Sequence, residues 1–185
     1  STNEDVYVQH IDTDGNLLWG VDGIQLTNTA TIESYVSLSS DTSGNLYVAW
    51  EEFVDVTDIR TLVQKISPIG VLSWGVGGTV IDNYNEWENT SPKIVADDLG
   101  GAYLAWTQAK STPTIVFDYL DSSGALVNSS SGIFLQNYPT SIAVWDMIKD
   151  GSNGALILTN KGYLSRVDSG GNIIWSVENT TSKMF

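Results

Sequence analysis

Two stretches of this chain, VQHIDTDGNLLWGVDGIQL (8–26) and VQKISPIGVLSWGVGGTVI (63–81), superimpose without a gap. Val8, Gln9, Ile11, Gly15, Leu17, Trp19, Gly20, Val21 and Gly23 recur 55 positions on as Val63, Gln64, Ile66, Gly70, Leu72, Trp74, Gly75, Val76 and Gly78. Leu26 matches Ile81, and His10 matches Lys65. Self-similarity at such a period marks one supersecondary unit, repeated, that buries its apolar face only by stacking on a neighbour. A third copy keeps Gly124, Leu126, Gly132 and Leu135 but places Asn128 where the tryptophan stood. A fourth, VDSGGNIIWSV (167–177), restores it as Trp175. Between these copies runs a second motif: DTSGNLYVAW (41–50), DDLGGAYLAW (97–106) and, more weakly, DGSNGALILT (150–159).

Asp12, Asp41, Asp97 and Asp121 each stand three residues before a glycine. That spacing suits a type I turn, in which the carboxylate bonds nearby backbone N–H groups and glycine takes positive φ. Segments between the turns alternate at period two, with Leu46, Val48 and Trp50 on one side and Tyr47 and Ala49 on the other. Short runs rich in Val, Ile, Tyr and Trp between turn signals read as all-β. One unit parses as strands at 92–96, 102–107, 115–120 and 125–135, the last broken near Ser130. Four antiparallel strands in about 50 residues make a β-propeller-type blade. Tandem immunoglobulin-like domains need about 100 residues each, and a β-helix runs in shorter rungs. The expected architecture is a single repeat domain over 1–185 with about three and a half repeats: a half-blade at 5–27 and blades at about 34–81, 91–136 and 142–177.

The pattern I/V-D-x-x-G-N-x-x-W resembles the blade repeat of quinoprotein-type propellers. Its longer form, V-Q-x-I-D-x-x-G-x-x-x-W-G followed by D-x-x-G-G-A-Y-L-A-W, is similar to repeats in large secreted bacterial proteins. The resemblance implies that the repeat tryptophan docks between neighbouring blades, a role that falls to Trp19, Trp74 and Trp175. Asn128 departs from it. Trp50 and Trp106, in the second motif, are expected to be buried as well. The resemblance implies nothing about activity.

Net charge is −14, from 22 acidic and 8 basic residues. This argues against nucleic acid, whose binders carry a basic footprint, and against anionic membrane surfaces. The absence of cysteine removes disulfides, thiolate metal sites and cysteine nucleophiles. No run reaches the roughly 18 apolar residues of a membrane-spanning helix. Few lysines and abundant Ser, Thr, Asn and Gly favour an extracellular or cell-surface setting. Asn89, Asn128 and Asn179 head glycosylation sequons, which chance also supplies in so polar a sequence.

Chemistry-bearing patterns are sparse. His10 is the one histidine, at a position Lys65 fills in the next repeat, so it reads as a solvated strand position. No nucleophile elbow is present, and one histidine without cysteine leaves no zinc set. The repeated aspartates read as turn residues rather than calcium ligands, because Ser67 fills one such turn without a carboxylate. No metal and no cofactor is expected. Paired carboxylates for glycoside hydrolysis are a spatial arrangement, which sequence leaves open.

Variation concentrates on one face of the expected blades. Tyr84, Glu86, Trp87 and Glu88 break the repeat between two blades, and Glu51, Glu52 and Phe53 open a connection running to Ile59. Aromatic rings beside carboxylates could stack on a sugar or anchor a protein. The reading favoured is a non-catalytic binding or assembly module; the alternative is a glycan-binding or glycan-active propeller using this acidic, aromatic face. The expected partners are proteins, including further copies of the repeat, with glycan as the alternative. Neither end carries a polar cap, so the chain is expected to belong to a longer array or to pair with further copies.

Overall fold

The computed structural model describes residues 4–55, 58–81, 88–109, 112–128, 133–137 and 142–178, with backbone alone at 88–89 and 133–137. All regular structure among them is β, in four antiparallel sheets and no helix. Sheet 1 pairs β1 (Tyr7–Val8) with β2 (Ile24–Gln25). Sheet 2 runs in order through β3 (Ile32–Ser40), β4 (Leu46–Asp55), β5 (Asp58–Ile66) and β6 (Thr79–Val80). Sheet 3 holds β7 (Glu88–Ala96), β8 (Ala102–Ala109), β9 (Thr114–Leu120) and β10 (Ile133–Asn137), again as a meander. Sheet 4 repeats the pattern with β11 (Val144–Lys149), β12 (Gly154–Thr159), β13 (Tyr163–Asp168) and β14 (Ile173–Glu178).

The sheets stack on one another through apolar side chains. Val6, Val8 and Leu26 of sheet 1 pack on Val48, Trp50, Leu62 and Ile66 of sheet 2. The opposite face of sheet 2, with Tyr47, Ala49, Val63 and Trp74, meets Ile94, Leu104, Trp106, Val116 and Leu120 of sheet 3. Tyr103, Ala105, Ile115 and Phe117 then face Ile142, Val144, Met147, Ala155, Ile157 and Val167 of sheet 4. The alternation read in 46–50 therefore separates two cores rather than core from solvent. Hydrogen bonds cross the stack as well: Ile94 N and Ala96 N of β7 donate to Ser37 Oγ (3.3 Å) and Ser39 Oγ (3.1 Å) of β3.

The Asp-led turns have the anticipated chemistry. Asp41 Oδ1 accepts from Ser43 N (2.9 Å) and Asn45 N (2.8 Å), while Gly44, at φ 82°, donates to the Asp41 carbonyl at 3.1 Å. Asp12, Asp97, Asp121 and Asp150 each accept from the backbone two and four residues on, and Asp168 from Asn172. In the turn without a carboxylate, Ser67 Oγ takes the same place and accepts from Val71 N at 3.0 Å.

These bonds set an acid limit. For Asp41 burial raises the carboxyl, but donors from Asn45, Tyr47 and Ser43 outweigh it and hold it below the ordinary 3.8. Asn16 and Asn172 do the same for Asp12 and Asp168, and Ser123 for Asp121. A carboxyl lowered in the folded state stabilises above its unfolded pKa, and that contribution disappears as pH falls through the folded value. We expect the melting temperature to hold above about pH 5 and to drop steeply below about pH 4. A Tm unchanged down to about pH 2.5 would show that the turn carboxylates contribute nothing.

Candidate functional site

The first two joints between stacked units begin at a glutamine. Gln64 is 1% exposed; its Oε1 accepts from Trp74 N and Lys65 N (both 2.9 Å), and its Nε2 donates to the Gly75 carbonyl at 2.6 Å. Gln9 repeats the clamp on Trp19 N (3.0 Å), His10 N (3.0 Å) and the Gly20 carbonyl (2.7 Å). The clamp replaces ladder hydrogen bonds, so after the bridges Ile11↔Leu17 and Ile66↔Leu72 the chain loops out before re-entering as β2 and β6. Glycine is required along that excursion: Gly78 has φ 82°, and a Cβ there would lie 2.7 Å from both the Trp50 ring and the Val63 carbonyl.

The excursion carries an indole to the next unit. Trp19 Nε1 donates to the Pro68 carbonyl (3.0 Å), and Trp74 Nε1 to the Ser122 carbonyl (3.2 Å). Both acceptors are the second residue of a four-residue turn that ends in glycine. A Cβ on Gly124 would sit 2.7 Å from the Trp74 ring, so that glycine is dictated by the indole as well as by its φ of 84°. Tyr47 meets Trp74 edge-on at 5.6 Å, which fixes the ring from behind. Trp74 is buried and Trp19 half-buried, with His10 edge-on to it at 5.4 Å. Trp50 and Trp106 are fully buried inside the cores, as expected from their recurrence.

The third and fourth units vary the joint. Asp118 replaces the glutamine and accepts from Asn128 N (3.1 Å) and Asn128 Nδ2 (2.7 Å), so the clamp survives without a ring. The amide nitrogen that glycosylation would modify is thereby engaged. In the fourth unit Ser165 stands in the glutamine's place and meets Ser176 Oγ at 2.9 Å. With no clamp the hairpin stays in the sheet as β14, and Trp175 lies opposite Arg166, 39% exposed. The expectation that Trp175 is buried like Trp19 and Trp74 is thus corrected: no described unit covers the face it occupies.

The acidic residues singled out in sequence also sit differently from a solvated loop. Glu51, Glu52 and Phe53 belong to β4, which continues to Asp55. Glu51 is 4% exposed and accepts from Ser91 N of β7. Glu52 accepts from Thr31 Oγ1 (3.2 Å) and lies 3.9 Å from Arg60 Nη1, while Arg60 Nε donates to Asp58 Oδ1 at 3.0 Å. Glu33, also buried, accepts from Thr27 (3.1 Å), Thr29 (2.8 Å) and Thr31 (2.8 Å). Beside this network a groove of about 290 Å³ runs past Gln25, Thr27, Glu52, Leu72 and Val76. Tyr84, Glu86, Trp87 and Asn179 lie outside the described residues, as do the side chains of Glu88 and Asn89. Among the described residues no group of three or more His, Cys, Asp or Glu side chains is placed to hold a metal ion.

No protein-family model matches this chain, and no curated protein does. Among solved structures it is similar to a protein of unknown function from Bacteroides caccae, at 13% identity and a TM-score of 0.46. The match covers 95% of this chain and 54% of that one, so the chain spans about half the length of that neighbour.

The joints make a direct stability claim. Trp74→Ala should cost about 3–5 kcal/mol. Gln64→Ala, which strips the acceptor from the buried Trp74 N–H, should cost about 1–3 kcal/mol. Equilibrium unfolding in urea measures both, and a loss below about 1 kcal/mol for Trp74→Ala would mean the joint contributes little.

Proposed function

We propose that this chain is a segment of a β-propeller, built from four-stranded blades, that acts outside the cell or at its surface as a non-catalytic binding or assembly module. The observation that carries the reading is how the polar groups are used. The carboxylates of this network have protein donors: Glu33 the three threonines, Glu51 the Ser91 N–H, Glu52 Thr31, and Asp58 Arg60. Carboxylates held this way brace strands against each other. A glycosidase needs a different pair, one acid kept protonated and one base or nucleophile facing it across an open cleft.

Support for the propeller architecture comes from the repeated meander, the stacking of sheets on both faces and the tryptophan joints at fixed register. A uniformly acidic, cysteine-free and serine-rich composition supports the extracellular setting.

The glycan reading draws on the groove beside Glu52 and on Trp87 and Tyr84 in the neighbouring sequence. One experiment separates the two. The chain is incubated with a panel of oligosaccharides while reducing ends and bound sugar are both followed. The assembly reading expects neither release nor binding. Saturable binding lost on Trp87→Ala would replace it with the glycan reading, and release of reducing ends would overturn the non-catalytic assignment.

A further inference from the structure

The joints within the chain have a direction. The indole of one unit reaches forward to the turn of the next, Trp19 to Pro68 and Gly70, Trp74 to Ser122 and Gly124. Following that direction to the outer faces of the stack leaves one indole without a turn and one turn without an indole. The indole is Trp175, on the face of sheet 4 turned away from sheet 3. The turn is 12–15. Its Gly15 has the same positive φ, 87°, yet among the described residues nothing lies within 4 Å of where a Cβ would point, the space that Trp19 and Trp74 occupy over Gly70 and Gly124.

The apolar residues around both features follow the same rule. Leu62 and Ile66 are buried against sheet 1, and Val116 and Leu120 against sheet 2. Their counterparts in the first unit, Tyr7 and Ile11, are 52% and 57% exposed. On the far side, Leu156 and Leu158 stand where Tyr47 and Ala49, or Tyr103 and Ala105, pack against a following sheet. With Leu164 they border an open apolar depression of about 260 Å³. Val177, opposite Leu164, extends this face. Arg166 holds the position from which Lys65 reaches the Gly100 carbonyl of the next unit.

We infer that a second copy of this chain docks head to tail across these two faces, with Trp175 of one copy lying over Gly15 of the other and its indole N–H directed at the Thr13 carbonyl. The partner is read from the contact already made twice inside the chain: the indole, the glycine turn and the apolar positions recur at the same register, covered within the stack and open at its two outer faces. The contact is heterologous, since the two surfaces differ, so it either closes a ring or propagates. This rests on the assembly reading above and gives it a partner and an address.

Sedimentation velocity on the full chain over a concentration series tests it. The wild-type chain should associate reversibly. Trp175→Ala removes the indole; Gly15→Asn keeps a residue that tolerates positive φ but fills the space over the turn. Each variant alone should weaken association at least tenfold, with a circular-dichroism spectrum and melting temperature like the wild type. Mixed one to one, the two variants should form a heterodimer, because one retains the turn and the other the indole. Wild-type association that neither variant weakens would overturn the inference while leaving self-assembly standing. A wild-type chain that stays monomeric at every concentration would overturn both.

Discussion

The structure depends on its two middle sheets being covered on both faces. β8 sends Leu104 and Trp106 into one core and Tyr103 and Ala105 into the next. A strand in that position has no solvent side, which is why its sequence, AYLAWTQA, is almost continuously apolar. Full burial of a large side chain contributes roughly 1.5–3 kcal/mol. A sheet with one neighbour missing forgoes about half of what its interior counterparts gain. Stability here accumulates by contact between units, and polar chemistry is displaced to the ends of strands and to turns.

That displacement explains why the joint is made from an indole and a backbone carbonyl. Trp50 and Trp106 sit in the middle of cores, and among the described residues their indole nitrogens have no hydrogen-bond partner. Such burial is tolerated because the ring area outweighs one unmet donor. Trp74 lies at the rim, where a turn of the following unit offers the Ser122 carbonyl. The glutamine decides which situation arises. With Gln9 or Gln64 present the chain leaves the hairpin and delivers the ring outward; with Ser165 it stays paired and the ring rests on its own sheet.

Much of this is legible in the sequence. The D-x-x-G spacing specified the turns because an aspartate bonding its own backbone is a local event. The alternation in 46–50 and the recurrence of Trp19 and Trp74 likewise carried over, being set by register. The end of β4 was not legible. Glu51 and Glu52 look like loop residues, yet they pair with β3 and β5 on either side and take partners from Ser91, Thr31 and Arg60, contacts distant in sequence. Nor was the fate of Trp175, although a signal existed. The residue ten positions before Trp19, Trp74, Asn128 and Trp175 is Gln9, Gln64, Asp118 and Ser165, and the hairpins follow it: a ring delivered outward after glutamine, an asparagine clamped by aspartate, a paired strand after serine. The tryptophan is half of the motif; the clamp that positions it is the other half.

The acidity of the chain bears on why such joints suit it. Cations are few, and several are already committed: Arg60 to Asp58, Arg166 to Asp150, Lys149 to Asp98. Asp98 shows how sparingly charge is used between sheets. Besides Lys149 of sheet 4 it accepts from Thr42 N of sheet 2 (2.9 Å), so one carboxylate of sheet 3 links both neighbours. The carboxylates of Asp12, Asp41, Asp121 and Asp168 stay charged but are occupied by N–H groups of their own turns. A stack with a net charge of −14 that depended on opposite charges would be starved of one sign. A ring over a glycine, with its N–H on a carbonyl, needs no charge at all and is not screened by salt. It can be repeated along the array without adding to the repulsion that the acidic surface already imposes.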